Sequence, residues 1–151
     1  MLKLRIPPPI YTLLTGSFMW WLDKQLPVIE LFSAPWNKLG FVFISVAILV
    51  DGSSLFQFFR THTTINPLHP EKAEKLVMTG MYQYSRNPMY LGLLFLLIGW
   101  AILLGSFSSF IMLPVFMVVM TIQQIIPEEK ILEDKFGQHY RDYLLSVRRW
   151  L

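Results

Sequence analysis

Cysteine is absent from the chain, which excludes a disulfide framework, a thiolate metal site and a cysteine nucleophile. Charge is scarce as well: only 15% of the 151 residues are charged and 54% are hydrophobic, far from the usual soluble mixture. Internal repeats and low-complexity tracts are missing, so one domain over 1–151 is expected. Two stretches, 89–104 and 107–126, carry no charged residue at all and meet at Gly105-Ser106. A bilayer core of ~30 Å takes roughly 20 apolar residues, so these predict two spans joined by a tight turn. The run 39–59 qualifies with one internal acid, Asp51. The run 9–22 is shorter, but Trp20 and Trp21 suit an interfacial end. The expected fold class is all-α, a polytopic membrane helix bundle of four spans.

The Lys3 and Arg5 start resembles the positive region of a signal peptide. Pro7–Pro9 follow, however, and no small-residue cleavage site appears, so no cleavable signal is expected. With the N-terminus inside, eleven basic residues fall on the cytoplasmic side: Lys3, Arg5, Arg60, Lys72, Lys75, Arg86, Lys130, Lys135, Arg141, Arg148 and Arg149. Only Lys24 and Lys38 fall opposite. This asymmetry predicts an integral membrane protein with both termini and its polar segments, 60–88 and 127–151, in the cytoplasm. The net charge of +3 is accounted for by anionic headgroups, and no nucleic acid partner is expected.

Those two polar segments flank one apolar hairpin and therefore emerge on the same side. The first ends in GMYQYSRNPMYLG (80–92), which sets Arg86, Asn87 and three tyrosines at the mouth of a span. In the loop before it, His62, Thr63, Thr64, Asn66, Pro67, His69 and Pro70 supply turn-forming groups. A short helix is expected from Pro70 to Thr79, with Glu71 and Glu74 suited to its dipole. Pro88 reads as the start of the next helix, with Ser85 or Asn87 as its cap, leaving free N–H groups beside Arg86 for an anion. The second segment predicts a helix from Pro127 with Glu128 and Glu129 in its first turn. Leu132, Phe136, Tyr140, Leu144 and Val147 form one apolar stripe on it, opposite Lys130, Asp134, Gln138, Arg141 and Arg148. Gly137 weakens this amphipathic helix and divides it. It suits a lid over the cytoplasmic mouth.

Plainer readings stand beside these. Arg86 alone reads as a phosphate anchor, the glutamate pair as first-turn dipole residues, and Tyr11 and Tyr143 as aromatic belt. Arg148, Arg149 and Trp150 read as an interfacial anchor, and Gly92 and Gly99 as helix-packing positions. Asp51 is an intramembrane acid that Gly52, Ser53 and Ser54 are placed to satisfy or to interrupt. His62 and His69 have no carboxylate at ligand spacing, and no metal is expected.

The run 80–92, the Glu128-Glu129 pair with Leu132, and Phe136-Gly137 followed by Tyr140, Tyr143 and Val147 resemble the isoprenylcysteine carboxyl methyltransferase family. That group belongs with the phospholipid N-methyltransferases, small membrane enzymes that use S-adenosylmethionine. The resemblance covers 66–151. It implies a methyl transfer to a lipophilic acceptor, with Arg86 and Glu129 catalytic. Cofactor contacts are implied at Tyr82, Arg86, Asn87, Pro88, Tyr90, Glu128, Glu129 and Tyr140. In this picture Arg86 clamps a carboxylate, the glutamates accept from ribose hydroxyls or the α-amino group, and the tyrosines meet the adenine or the sulfonium.

One departure stands out: the family's best-known form has Arg-His-Pro where this chain has Arg86-Asn87-Pro88. Asparagine is no base near neutral pH. Carboxylate or thiolate acceptors are therefore favoured over amines that need one. A non-catalytic membrane scaffold and a nicotinamide-dependent membrane reductase of the sterol type are the alternatives. The expected setting is a bacterial or archaeal inner membrane, with oligomeric state open.

Overall fold

A computed structural model describes residues 6–26, 28–61 and 75–151. Among them the architecture is helical with no strand beyond a single isolated bridge, Glu30 to Ser106. The order is α1 (Pro8–Gln25), a 3-10 turn (Trp36–Leu39) leading into α2 (Gly40–Thr61), a second 3-10 turn (Gly80–Gln83), and α3 (Pro88–Leu104). Then come α4 (Phe107–Phe110), α5 (Met112–Met120), a π segment (Thr121–Ile125), α6 (Ile126–Phe136) and α7 (Gln138–Ser146).

The central element is α3. It is apolar on every side, as a helix surrounded by others must be, and it buries Leu91, Leu94, Leu97, Ala101 and Ile102. Both α1 and α2 pack on it, and Met19, Phe116, Met120 and Ile125 complete the core around it. The α2–α3 crossing is close because glycines face each other: a Cβ on Gly99 would lie 2.6 Å from the Gly40 carbonyl oxygen. Buried polar groups act between helices. Trp100 Nε1 donates to the Gly16 carbonyl at 3.1 Å, Ser109 Oγ to Met19 at 3.3 Å, and Gln124 Nε2 to Ile6 at 2.7 Å.

Two helices among the described residues are long and apolar enough to cross a bilayer, Trp36–Gln57 and Phe107–Phe136. Pro88–Leu104 is apolar but has 17 residues, and α1 has 18 residues of lower hydropathy. Only 22% and 28% of the most apolar windows of the two long helices are buried. A soluble core helix would hide such a face; here Leu13, Leu14, Ile48, Leu49 and Phe56 stand exposed, as lipid contact requires.

Several expectations need revision. Segment α6 starts at Ile126 with Pro127 in its first two positions and both glutamates in its first turn, as expected, but the chain does not break ahead of it. It runs as one helix from Phe107 to Phe136, and the wide π turn at Thr121–Ile125 lies just ahead of the proline, where a missing N–H and a crowded ring would otherwise break an α-helix. The helix expected to end at Thr79 does not reach it, since 75–79 are irregular; its start at Pro70 lies outside the described residues, as do the turn groups 62–70 with both loop histidines. Helix α2 continues unbroken past Asp51. Gly105 closes α3 in a left-handed conformation at φ 85°, and its carbonyl receives the N–H groups of Leu31 and Phe32. Gly137, at φ 56°, separates α6 from α7 and turns the chain back towards α3.

Candidate functional site

The site forms where the start of α3, the start of α6 and the C-terminal tail meet. Pro88 sits at the first position of α3 and is buried, with Arg86 and Asn87 in the irregular turn that leads into the helix. The expected cap is not the one formed. Asn87 turns its side chain away and donates from Nδ2 to the Arg149 carbonyl at 3.0 Å. Ser85 Oγ accepts the Asn87 N–H at 3.1 Å, and the Arg86 N–H donates to the Arg148 carbonyl at 2.9 Å. The N–H groups of Arg86 and Asn87 themselves are therefore occupied.

Two carboxylates reach this point from α6. The Tyr90 hydroxyl donates to Glu128 Oε2 at 2.8 Å. Glu129 binds two arginines: Arg86 Nη1 at 3.3 Å, and Arg149 through Nε at 3.1 Å and Nη2 at 2.7 Å. The Arg86 and Glu129 side chains are only 11% and 13% exposed, so each needs the other's charge. Arg86 Nε, buried, has no hydrogen-bond partner among the described residues.

Tyrosines wall the remaining side. Tyr82 is buried in its 3-10 turn, and its carbonyl accepts the Tyr143 hydroxyl at 2.6 Å. Tyr140 is buried beside Tyr143, ring centroids 6.1 Å apart. Burial raises the Tyr140 hydroxyl well above the ordinary tyrosine range, and Glu129 and Glu128 add to this while Arg86 opposes it. Tyr82 is raised by burial first, then by Glu128. These phenols stay protonated at neutral pH and so keep a hydrogen to donate. A helix of 20 residues from Phe107 spans about 30 Å and ends at Ile126, so Glu128 stands beyond the apolar span. Burial raises its carboxyl, the Tyr90 hydrogen bond lowers it, Glu129 raises it, and it comes to rest at about 7.

All eight residues named for cofactor contact therefore lie in or beside this cluster. Four further residues take roles that sequence reasoning did not give them. Arg149 is not an interfacial anchor but the second clamp on Glu129, and Trp150 Nε1 is turned inward to Thr121 Oγ1 at 3.3 Å. Tyr143 is not an aromatic-belt residue; it is buried on Tyr82. Ser85 is fully buried as the acceptor for Asn87. Both glutamates have side-chain partners, so neither is an ordinary first-turn residue. On the amphipathic segment Tyr140 is buried, Leu132, Phe136, Leu144 and Val147 are half-buried, and the charged face is exposed. Among the described residues no group of three His, Cys, Asp or Glu could hold a metal.

The fold and cluster define a helical protein with bilayer-length apolar helices and, at one end, a buried Arg86–Glu129 pair clasped by the part-exposed Arg149 and a Tyr90–Glu128 pair beside it. The family model for phospholipid methyltransferase matches residues 36–139, and the chain belongs to that family. The match takes in α2, α3 and the glutamate pair, and stops short of Tyr140 and Arg149. A protein-S-isoprenylcysteine O-methyltransferase of Schizosaccharomyces pombe is 29% identical over 74% of this chain and 46% of its own length. Protein-S-isoprenylcysteine O-methyltransferase B of Arabidopsis thaliana is 28% identical over 85% of this chain and 58% of its own length. The chain thus spans about half the length of these relatives. An uncharacterized protein of Haemophilus influenzae is 44% identical over 42% of this chain and its whole length. No solved structure matches.

Proposed function

We propose that this protein is an integral-membrane methyltransferase that moves a methyl group from S-adenosylmethionine to a lipophilic acceptor. The observation that carries the reading is Arg86 Nε, a buried cationic donor with no hydrogen-bond partner among the described residues. With its charge already met by Glu129 at Nη1, the guanidinium keeps this one N–H as a place for an acceptor group of a ligand. The donor set fits S-adenosylmethionine, which offers a carboxylate for Arg86, an amine and ribose hydroxyls for Glu128 and Glu129, and an adenine for the faces of Tyr82, Tyr90 and Tyr140. When bound, this cofactor supplies an electrophilic methyl group on a cationic sulfur.

The chain's own contribution is alignment and dryness. Methyl transfer is an in-line displacement, so orienting the reactants and excluding water does most of the catalysis. Glu129 fixes the Arg86 plane, Tyr90 fixes Glu128, and the tail from Val147 to Trp150 closes over Asn87 and Thr121 as a lid. The phenols stay protonated and Asn87 is no base near neutral pH; an anionic carboxylate or thiolate acceptor needs none.

Support for a lipophilic acceptor comes from an apolar groove of about 790 Å³ between α1, α2 and α3, lined by Leu13, Gly16, Trp20, Leu93, Leu97 and Trp100. It opens on the exposed apolar surface, where a hydrocarbon tail enters sideways from the bilayer. Four spans, α1, α2, α3 and the α4–α5 rod, place termini and site on the cytoplasmic side of a bacterial or archaeal inner membrane in this reading, with the basic residues as support. The test is transfer of labelled methyl from S-adenosylmethionine into the lipid-soluble fraction of membranes containing the protein. Wild type labels that fraction and Arg86→Ala does not; equal labelling by both refutes the assignment of Arg86.

A further inference from the structure

Residues 147–151 leave α7 as an irregular strap, with Val147 ending the helix in an extended conformation. Two backbone carbonyls fasten it to the cluster. That of Arg148 takes the Arg86 N–H at 2.9 Å, and that of Arg149 takes Asn87 Nδ2 at 3.0 Å and Ser85 Oγ at 3.4 Å. The strap's ion pair is bidentate: Arg149 Nε meets Glu129 Oε1 at 3.1 Å and Nη2 meets Oε2 at 2.7 Å. Both carboxylate oxygens are engaged, so a ligand amine or hydroxyl that is to meet Glu129 must displace Arg149. The arginine is the outward member of the pair, 37% exposed against 13% for Glu129.

The strap also lies at the depth of lipid headgroups. Trp150 Nε1 donates to Thr121 Oγ1 at 3.3 Å. Thr121 stands about 8 Å short of Ile126, where a span of bilayer length from Phe107 ends. Arg148 is exposed beside it, and Leu145 and Leu151 are exposed as well. Arginines set among tryptophan and leucine are the composition that settles on an anionic membrane surface.

We propose that anionic lipid headgroups compete with Glu129 for Arg149, so that a negatively charged bilayer surface draws the strap off the donor site and opens it to ligand. What the strap covers rests on the donor-site reading above; its release by lipid does not. The two attractions are matched in strength. Loss of a part-exposed ion pair of this kind shifts the strap about 5- to 30-fold towards release. An anionic surface favours each nearby arginine about fivefold, so two supply about 25-fold. Lipid charge can therefore tip the balance in either direction. The interfacial anchor that Arg148-Arg149-Trp150 suggests in sequence is the strap's second position.

The test compares wild type in nanodiscs of phosphatidylcholine alone with wild type in nanodiscs of phosphatidylcholine and phosphatidylglycerol in equal parts. Hydrogen exchange at the Arg86 amide, which donates to the Arg148 carbonyl, reads release without any ligand. It is expected to quicken at least about fivefold in the anionic discs, while the Leu97 amide keeps its rate. The double variant Arg148→Gln, Arg149→Met is expected to exchange quickly in both. Equal wild-type rates in the two lipids overturn the proposal, and so does an equal lipid dependence in the double variant. Stopped-flow binding of S-adenosylhomocysteine reads the gate. This ligand carries no net charge, so the surface does not itself attract it. Association with wild type is expected to be at least about fivefold faster in the anionic discs. Unchanged association beside a quickened Arg86 amide overturns the gating. Binding in neither lipid overturns the donor-site reading, and the exchange rates then decide the strap's release on their own.

Discussion

Replacing Arg149 by methionine keeps the stem and removes the guanidinium that holds Glu129 at 2.7 and 3.1 Å. A charge-assisted hydrogen bond contributes about 1.5–3 kcal/mol. The Arg149 side chain is 37% exposed, so solvent screening lowers the pair to about 1–2 kcal/mol. The same tail gives the Arg148 carbonyl to the Arg86 N–H and the Arg149 carbonyl to Asn87 Nδ2. Weakening it by that amount raises the population with the tail detached about 5- to 30-fold. Hydrogen exchange at the Arg86 amide reads that population directly. In Arg149→Met it is expected to quicken by the same factor, while amides in the middle of α3, such as that of Leu97, keep their rate. An unchanged rate at Arg86, or equal acceleration along α3, refutes the clasp.

Donor binding should depend on pH through Glu128. Its carboxyl rests at about 7, so it is mostly neutral at pH 6 and mostly ionised at pH 8. Affinity for a cationic ligand that needs the ionised form then rises about tenfold across that interval. Glu128→Gln flattens the profile; a wild-type profile already flat contradicts the assignment. Tyr143→Phe removes the hydroxyl bonded to the Tyr82 carbonyl at 2.6 Å, at a cost of about 1–3 kcal/mol. Thermal melting of the purified variant checks this, and an unshifted midpoint counts against it. Gly99→Val forces side-chain atoms between the backbones of α2 and α3, where a Cβ already lies 2.6 Å from the Gly40 carbonyl oxygen and 2.8 Å from Ile44 Cγ1. Overpacking there is expected to cost about 1–3 kcal/mol. A variant that melts like wild type would show that the crossing is looser.

The helical class was legible because apolar runs are long and the breaks are chemically plain: Gly105-Ser106 ends one helix and Gly137 another, each at a positive φ that a side chain resists. Membrane character showed in composition, and the exposed apolar faces of α1 and α2 agree with it. The pairing of 80–92 with Glu128-Glu129 was visible because two polar runs flank one hairpin. Arg149 was not. Twenty residues of chain separate it from Glu129, and only the reversal at Gly137 brings the tail back, so Arg148-Arg149-Trp150 reads as an interfacial anchor in sequence alone. Tyr143 failed for the same reason, since its burial on Tyr82 is set by the return path of α7. Pro127 misled because proline commonly opens a helix, and a π turn that carries an existing helix up to it leaves no mark in composition. Ser53 and Ser54 looked placed to satisfy Asp51, but helix geometry gives their hydroxyls a nearer acceptor one turn back, at Val50.

The central claim is that the Arg86–Glu129 cluster is a methyl-donor site. Titration of the folded wild-type protein with S-adenosylhomocysteine, alongside reduced nicotinamide adenine dinucleotide phosphate, tests it most directly. Micromolar binding of the first and none of the second is the result expected. Binding of neither would make the cluster a structural clasp in a non-catalytic membrane protein, and binding of the nicotinamide alone would make it a reductase site.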